Sequence, residues 1–110
     1  MGGLKVLVID LDPQGNASTA FGIDRANSAG MYEVLINDLP IEEVAVKVPG
    51  FPHLEAVPAN SELAGAEILL VPAVAREFRL KNSLLNFLDA RQSTGQRFES
   101  VFQGGQPLWR

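Results

Sequence analysis

A short aliphatic run that ends on paired carboxylates constrains this chain more than any other feature. Val6, Leu7, Val8 and Ile9 are followed by Asp10, Leu11, Asp12, Pro13, Gln14 and Gly15. Four successive branched aliphatic residues suit a strand buried on both faces of a parallel sheet, not one with a wet side. Pro13 removes a ladder donor and Gly15 permits a tight bend, so the strand must end near the two aspartates. In open α/β sheets ligands bind beyond the carboxyl ends of the strands. If the strand runs on through Leu11, Asp10 and Asp12 point the same way. Two anions side by side favour a hard oxygen-liganded cation such as Mg²⁺, and with it a nucleotide phosphate. On composition alone the same residues also read as a solvated turn.

Composition narrows the chemistry. The 110 residues allow one domain with a modest core, short for a doubly wound sheet, and 46% hydrophobic content argues against disorder. Absence of cysteine excludes disulfides, thiolate metal sites and cysteine catalysis, and a single histidine, His53, argues against histidine-ligated zinc or a serine–histidine triad. Residues 1–60 carry 3 basic and 8 acidic side chains and residues 61–110 carry 6 and 5, so neither half is a basic nucleic-acid surface. No apolar run approaches a membrane span and the start does not read as a signal peptide, which implies a cytoplasmic protein without membrane association.

Along the chain, Asn16 to Ile23 reads as a short helix with Asn16 or Ser18 as its cap and Phe21 reaching the core. Met31, Val34 and Leu35 have helical spacing, and Pro40 to Val46 suits a further turn or two with Pro40 in its first position. Lys47 to Pro52 reads as a connection and Leu54 to Val57 as a short strand. Asn60 or Ser61 is expected to cap a helix from Glu62 to about Leu70, with Asn60 within reach of the aspartates. A longer helix over Val74 to Ala90 puts Phe78, Leu80, Leu84, Leu85, Phe87 and Leu88 on an apolar stripe, with Arg76, Arg79 and Lys81 solvated. Phe98 should open another strand, but Gln103, Gly104, Gly105 and Gln106 do not sustain a buried one.

The segment Lys5-Val-Leu-Val-Ile-Asp-Leu-Asp-Pro-Gln-Gly-Asn-Ala-Ser-Thr19 resembles the switch I region of ParA/Soj partitioning ATPases, relatives of MinD among the P-loop NTPases with a deviant Walker motif. Met31-Tyr-Glu-Val-Leu35, Val57-Pro-Ala-Asn-Ser-Glu-Leu-Ala-Gly-Ala-Glu67 and Ala75-Arg-Glu-Phe-Arg-Leu80 resemble that family's later motifs in order and spacing. Together they cover roughly Leu4 to Arg97, far more than one short pattern would.

The resemblance implies an α/β chain with a partial Rossmann-like P-loop NTPase fold, an incomplete parallel sheet flanked by helices. Residues 1–99 would be the partial ATPase domain and 100–110 a divergent, non-native tail. It also implies a fragment of an ATPase for chromosome or plasmid partitioning. Asp12 would position or activate the attacking water and Asp10 would sit in the outer shell of Mg²⁺, so both are metal candidates. Gln14, Gly15 and Asn16 would shape the nucleotide-facing loop. ATP and Mg²⁺ are the family's cofactors; a ParB-type protein, a second copy and non-specific DNA are its partners.

Gly2-Gly3-Leu4-Lys5 only echoes a phosphate loop, with no Gly-Lys-Ser/Thr, and the hydrophobic Walker B continuation expected after Glu99 is missing. ATP binding and hydrolysis by this chain are therefore not expected, nor DNA binding through it. Loss of those strands should leave Val6 to Ile9 without neighbours, which favours a rival reading as a non-enzymatic remnant or interaction fragment. A haloacid-dehalogenase-type phosphatase also ends its first strand in Asp-x-Asp, but Pro13-Gln14 stands where Gly-Thr is usual. A response-regulator receiver needs a later strand ending in aspartate, and Leu54 to Val57 ends in Pro58.

Overall fold

A computed structural model of the protein describes residues 4–12, 14–64 and 72–104. The aliphatic run forms β1, Leu4–Asp10. The chain continues through α1 (Asn16–Ala20), α2 (Met31–Ile36), α3 (Ile41–Val44), β2 (Val46–Val48), β3 (Phe51–Val57), a 3₁₀ turn at Ser61–Ala64, α4 (Ala73–Ser93) and β4 (Arg97–Gln103). The fold is mixed α/β, as the sequence implies. Its sheet has the order β2-β3-β1-β4, with β1 parallel to both neighbours and β2 antiparallel to β3.

β1 is therefore interior, and the expectation that Val6 to Ile9 lack strand neighbours is corrected. Val6 to Ile9 pair with Leu54 to Val57 on one side, and Leu4 to Asp10 pair with Arg97 to Gln103 on the other. Leu7 and Ile9 are fully buried with Met31, Val34, Ile41, Val57, Leu80, Leu84 and Phe87, the core between the sheet and α2, α3 and α4. On the opposite face Val8, Val48 and Ala56 are covered by Phe21 and Ile23, so Phe21 does reach apolar packing, in this second cluster. That second layer is partial: Leu4 and Val101 remain 51% and 37% exposed.

Several local expectations change. Lys47 to Pro52 is not merely a connection: Pro49-Gly50 makes the turn of a β2–β3 hairpin, with Gly50 at φ 85, and β3 begins at Phe51 rather than Leu54. Pro40 precedes α3 in extended conformation instead of occupying its first helical position. Of the predicted stripe on α4, Leu80, Leu84 and Phe87 are buried and Leu88 packs against the core, whereas Phe78 and Leu85 are 67% and 54% exposed. Arg79 is not simply solvated: its guanidinium donates to the Leu35 and Ile36 carbonyls at 2.7 and 3.1 Å, satisfying acceptors that the end of α2 leaves open.

β4 runs past the boundary expected near Glu99, as far as Gln103. Its residues alternate between exposed and half-buried, so the polar Glu99 and Gln103 fall on the open face while Phe98 and Phe102 pack on the core. A strand with one open face needs no continuous apolar run. Most of the helix expected from Glu62 to Leu70 lies outside the described residues, as does the chain after Gly104.

Candidate functional site

β1 delivers Asp10 and Asp12 to the carboxyl edge of the sheet, but the strand stops at Asp10 and the two carboxylates differ sharply. Asp10 is 2% exposed. Its Oδ2 accepts from the Ser18 amide at 2.9 Å and the Ser18 hydroxyl at 2.7 Å, and its Oδ1 accepts from the Asp12 amide at 3.1 Å. Ser18 Oγ in turn accepts from the Ala59 amide at 3.0 Å. Asp10 thus ties the ends of β1 and β3 to α1. Neither Asn16 nor Ser18 caps that helix: Gly15 is the N-cap at φ 64, Asn16 is the first helical residue, and Ser18 lies within the helix with its hydroxyl turned to Asp10.

Asp12 is half-buried and follows the strand. Its Oδ1 accepts from the Gln14 amide at 3.0 Å, and its carbonyl accepts from the Gly15 amide at 2.8 Å. Among the described residues nothing donates to Oδ2. Gln14 and Asn16 are exposed on either side of the buried Gly15. The loop is therefore a short turn with one uncommitted carboxylate oxygen and two exposed amide side chains. Magnesium prefers oxygen ligands and keeps much of its water, which this donor set suits at Asp12. Asp10, with both oxygens taken by the protein, suits a place behind the ion rather than direct ligation. Among the described residues no three His, Cys, Asp or Glu side chains converge as a ready-made metal cage.

Two residues hold this loop that the sequence did not single out. Arg25 Nε donates to the Ala59 carbonyl at 2.5 Å and its Nη1 donates to the Gln14 carbonyl at 2.6 Å, bridging the loops after β1 and β3. Its guanidinium crosses the place where a Cβ on Gly15 would project, so residue 15 must lack a side chain for space as well as for its positive φ. Gly104 closes the other side: it has φ 94, and a Cβ there would stand 2.5 Å from the Asp12 amide nitrogen. Leu11 N bonds the Gln103 carbonyl at 2.7 Å just before it. The glycine pair after Gln103 was a visible signal, though only of a broken strand; a lone arginine in a polar loop carried none.

Asn60 does not cap the following turn with its side chain and does not join the aspartates. It is 1% exposed, accepts from the Tyr32 amide at 3.1 Å and donates to Glu33 at 2.7 Å, while Glu33 accepts from the Gly30 amide at 2.9 Å. Asn60 and Glu33 together satisfy the open donors at the start of α2.

Arg25→Ala should release the loop without unfolding the sheet. Amide exchange at Gly15 is expected to accelerate by roughly tenfold, the equivalent of one or two lost hydrogen bonds. Unchanged exchange there, measured by NMR beside an unaltered β1, would show that Arg25 does not restrain the loop.

Residues 1–90 match the model of a family described as AAA domain. The chain is 42% identical over 83 residues to the sporulation initiation inhibitor protein Soj of Bacillus subtilis, and 44% identical over 81 residues to the chromosome partitioning protein ParA of Myxococcus xanthus. These alignments cover 74% and 73% of this chain but 32% and 28% of those proteins, so the chain spans about a third of the length of the curated relatives it matches. Among solved structures, cobyrinic acid a,c-diamide synthase from Mycobacterium smegmatis with bound ATP analog and magnesium superposes with a TM-score of 0.69 at 30% identity, covering 92% of this chain and 38% of that one. A plasmid partition protein from Borrelia burgdorferi shares the fold at a TM-score of 0.60 and 22% identity, over 91% of this chain and 42% of its own. With its sheet and its sequence in agreement, the chain belongs to the AAA-domain family, on its ParA/Soj-type partitioning branch.

Proposed function

We propose that this chain carries the acidic switch-like loop of a partitioning ATPase without the cradle that grips the nucleotide. The observation that carries this reading is the division of labour between the aspartates. Asp10 is locked into the fold by Ser18, which leaves Asp12 presented at the sheet's carboxyl edge with a free oxygen. In the longer proteins Asp12 would orient the water that attacks the terminal phosphate, and Asp12 with Asp10 behind it would hold a hydrated Mg²⁺. Gln14, Gly15 and Asn16 shape the nucleotide-facing surface. The ion, when bound, supplies charge neutralisation for the phosphates.

The solved relative with an ATP analog and magnesium supports ATP and Mg²⁺ as the cofactors of the longer proteins. A ParB-type partner, nucleotide-dependent self-association, non-specific DNA binding and a role in chromosome or plasmid partitioning belong to that same proposal for those proteins, as does a cytoplasmic setting. Among the described residues no helix is long and apolar enough to cross a membrane. The 110 residues contain no Gly-x-x-x-x-Gly-Lys-Ser/Thr segment, whose backbone amides and lysine would hold the phosphates. Nucleotide binding and hydrolysis by these 110 residues alone are therefore not expected.

Two titrations test this. Mg²⁺-ATP added to the chain should give no saturable heat in a calorimeter; Mg²⁺-dependent saturation would overturn the missing-cradle part. Mn²⁺, standing in for Mg²⁺, should broaden the NMR signals of Asp12, Gln14 and Asn16, and Asp12→Asn should abolish this. Broadening that survives Asp12→Asn would remove the ion from Asp12.

A further inference from the structure

A concavity lies at the end of the sheet where β1 and β4 begin, opposite the acidic loop. Its volume is about 640 Å³, and β1, β2, β3, α3 and the end of α4 all contribute to its walls. Small-molecule sites span roughly 300–1,000 Å³. The charges that line it are unevenly matched. Arg91 holds both carboxylates: Glu55 accepts at 2.9 and 3.3 Å, and Glu42 at 3.0 Å from Nη2 and 3.2 Å from Nε. Lys47 stands directly opposite Glu55 in the β2–β3 register, and Lys5 is half-buried on β1. Among the described residues no carboxylate pairs with either ammonium group. Gln96 Oε1 accepts from Arg91 at 3.5 Å, which leaves its NH₂ group as a further donor. The last turns of α4 would repel an anion, but the Arg91 carbonyl there accepts from the Thr94 hydroxyl at 2.7 Å and from the Thr94 and Gln96 amides at 3.1 and 3.0 Å.

We propose that this cavity binds a small oxyanion, a carboxylate or a phosphate group, between Lys5 and Lys47, with the Gln96 amide as a third donor. Three cations and two carboxylates line it, an excess of one positive charge. That excess rests on the lysines, because the carboxylates face Arg91. Each ammonium is a compact charge with three donors, and an oxyanion placed between the two relieves their mutual repulsion. The ligand must be small. Residues 1–60, which hold both lysines, carry 8 acidic side chains against 3 basic ones, so an extended polyanion would meet repulsion outside the cavity. This site uses neither the acidic loop nor Mg²⁺, and it stands whether or not the nucleotide reading does.

Inorganic phosphate and acetate, titrated separately into the 110-residue chain at low ionic strength, test this by NMR. At least one of them should shift the signals of Lys5, Lys47 and Gln96 saturably, while those of Asp12 and Gln14 stay in place. Saturation by phosphate alone would assign the site to phosphate groups, by acetate alone to carboxylates, and by both to either. Lys5→Gln and Lys47→Gln should each weaken binding about tenfold, the equivalent of one hydrogen bond from a charged donor. Neither change should disturb the fold, since neither ammonium is ion-paired within it, and Lys5→Arg and Lys47→Arg should keep most of the affinity. Glu42→Gln removes one carboxylate from the wall, leaves the Arg91–Glu55 pair in place, and should tighten binding at least about threefold. Absence of a saturable shift with either anion would overturn the proposal. So would shifts that persist unchanged when both lysines are replaced by glutamine. Should that double variant fail to fold, Glu42→Gln decides, because binding that it leaves unchanged or weakens also overturns the proposal.

Discussion

Asp10→Ala is expected to destabilise the chain by about 3–5 kcal/mol, because it strands two buried donors of Ser18 and the half-buried Asp12 amide at about 1–3 kcal/mol each. The loss spreads beyond the carboxylate. Ser18 Oγ accepts from the Ala59 amide and donates its own hydrogen bond to Asp10, so removing the final acceptor frees the hydroxyl to rotate and loosens the tie between β1 and β3. Asp10→Asn should cost less but not nothing. It keeps one acceptor oxygen and turns an NH₂ group towards a neighbouring donor. Asp12→Ala should fall within about 0.5 kcal/mol of the parent, since it gives up one exposed turn hydrogen bond. Urea unfolding of the three variants separates the roles. Equal losses at Asp10 and Asp12 would mean that the first aspartate is not the anchor described above.

Arg91→Ala is expected to cost about 3 kcal/mol. Arg91 Nη1 lies 2.9 Å from Glu55, whose side chain is 8% exposed, and Nη2 lies 3.0 Å from Glu42, whose side chain is 50% exposed. The guanidinium also stands 4.6 Å from the Phe87 ring centroid and 5.1 Å from that of Phe98, two rings that meet edge to face at 5.2 Å. The Glu55 hydrogen bond is the main cause that raises the already high pKa of Arg91, so the guanidinium stays charged across the working pH range. Its removal leaves Glu55 buried and unpaired, at about 3–5 kcal/mol for a fully enclosed pair and less here because the arginine keeps some water. Glu42→Ala should cost less than about 1 kcal/mol, as exposed ion pairs do. The combination Arg91→Met with Glu55→Leu should recover most of the loss, since replacing both charges removes the need for either. Failure of the double variant to recover stability would place the cost in the stacking on Phe87 and Phe98 instead.

β1 was legible because four branched aliphatic residues in a row admit few other fates, and Asp10 and Asp12 because charge ends such a strand at the edge where ligands bind. What separates the two aspartates was not legible. It depends on Ser18, eight residues on, reaching back from a helix whose cap the sequence placed at Asn16 or Ser18 rather than Gly15. The β2–β3 hairpin was hidden by Pro49, Gly50 and Pro52, which read as breakers although two of them build the turn. Phe78 and Leu85 fit a helical stripe as well as Leu84 and Phe87 do; the position of the sheet, not the spacing, decides which of them it covers. Arg25, Arg79 and Arg91 all act across elements far apart in the chain. Long flexible side chains carry no local pattern that announces their partners.

The interior place of β1 also sets an order of assembly. Its partners are β3, which pairs Val6 with Leu54, and β4, which pairs Leu4 with Arg97. No pairing of the first strand is local. The hairpin of β2 and β3 can form with a short loop; β1 must wait for β4. Closing so long a loop costs entropy before any contact repays it, which slows folding. During synthesis Val6 to Ile9 therefore emerge well before β4, their second neighbour, has been made. Until then that aliphatic run is open to capture by a chaperone or by another nascent copy.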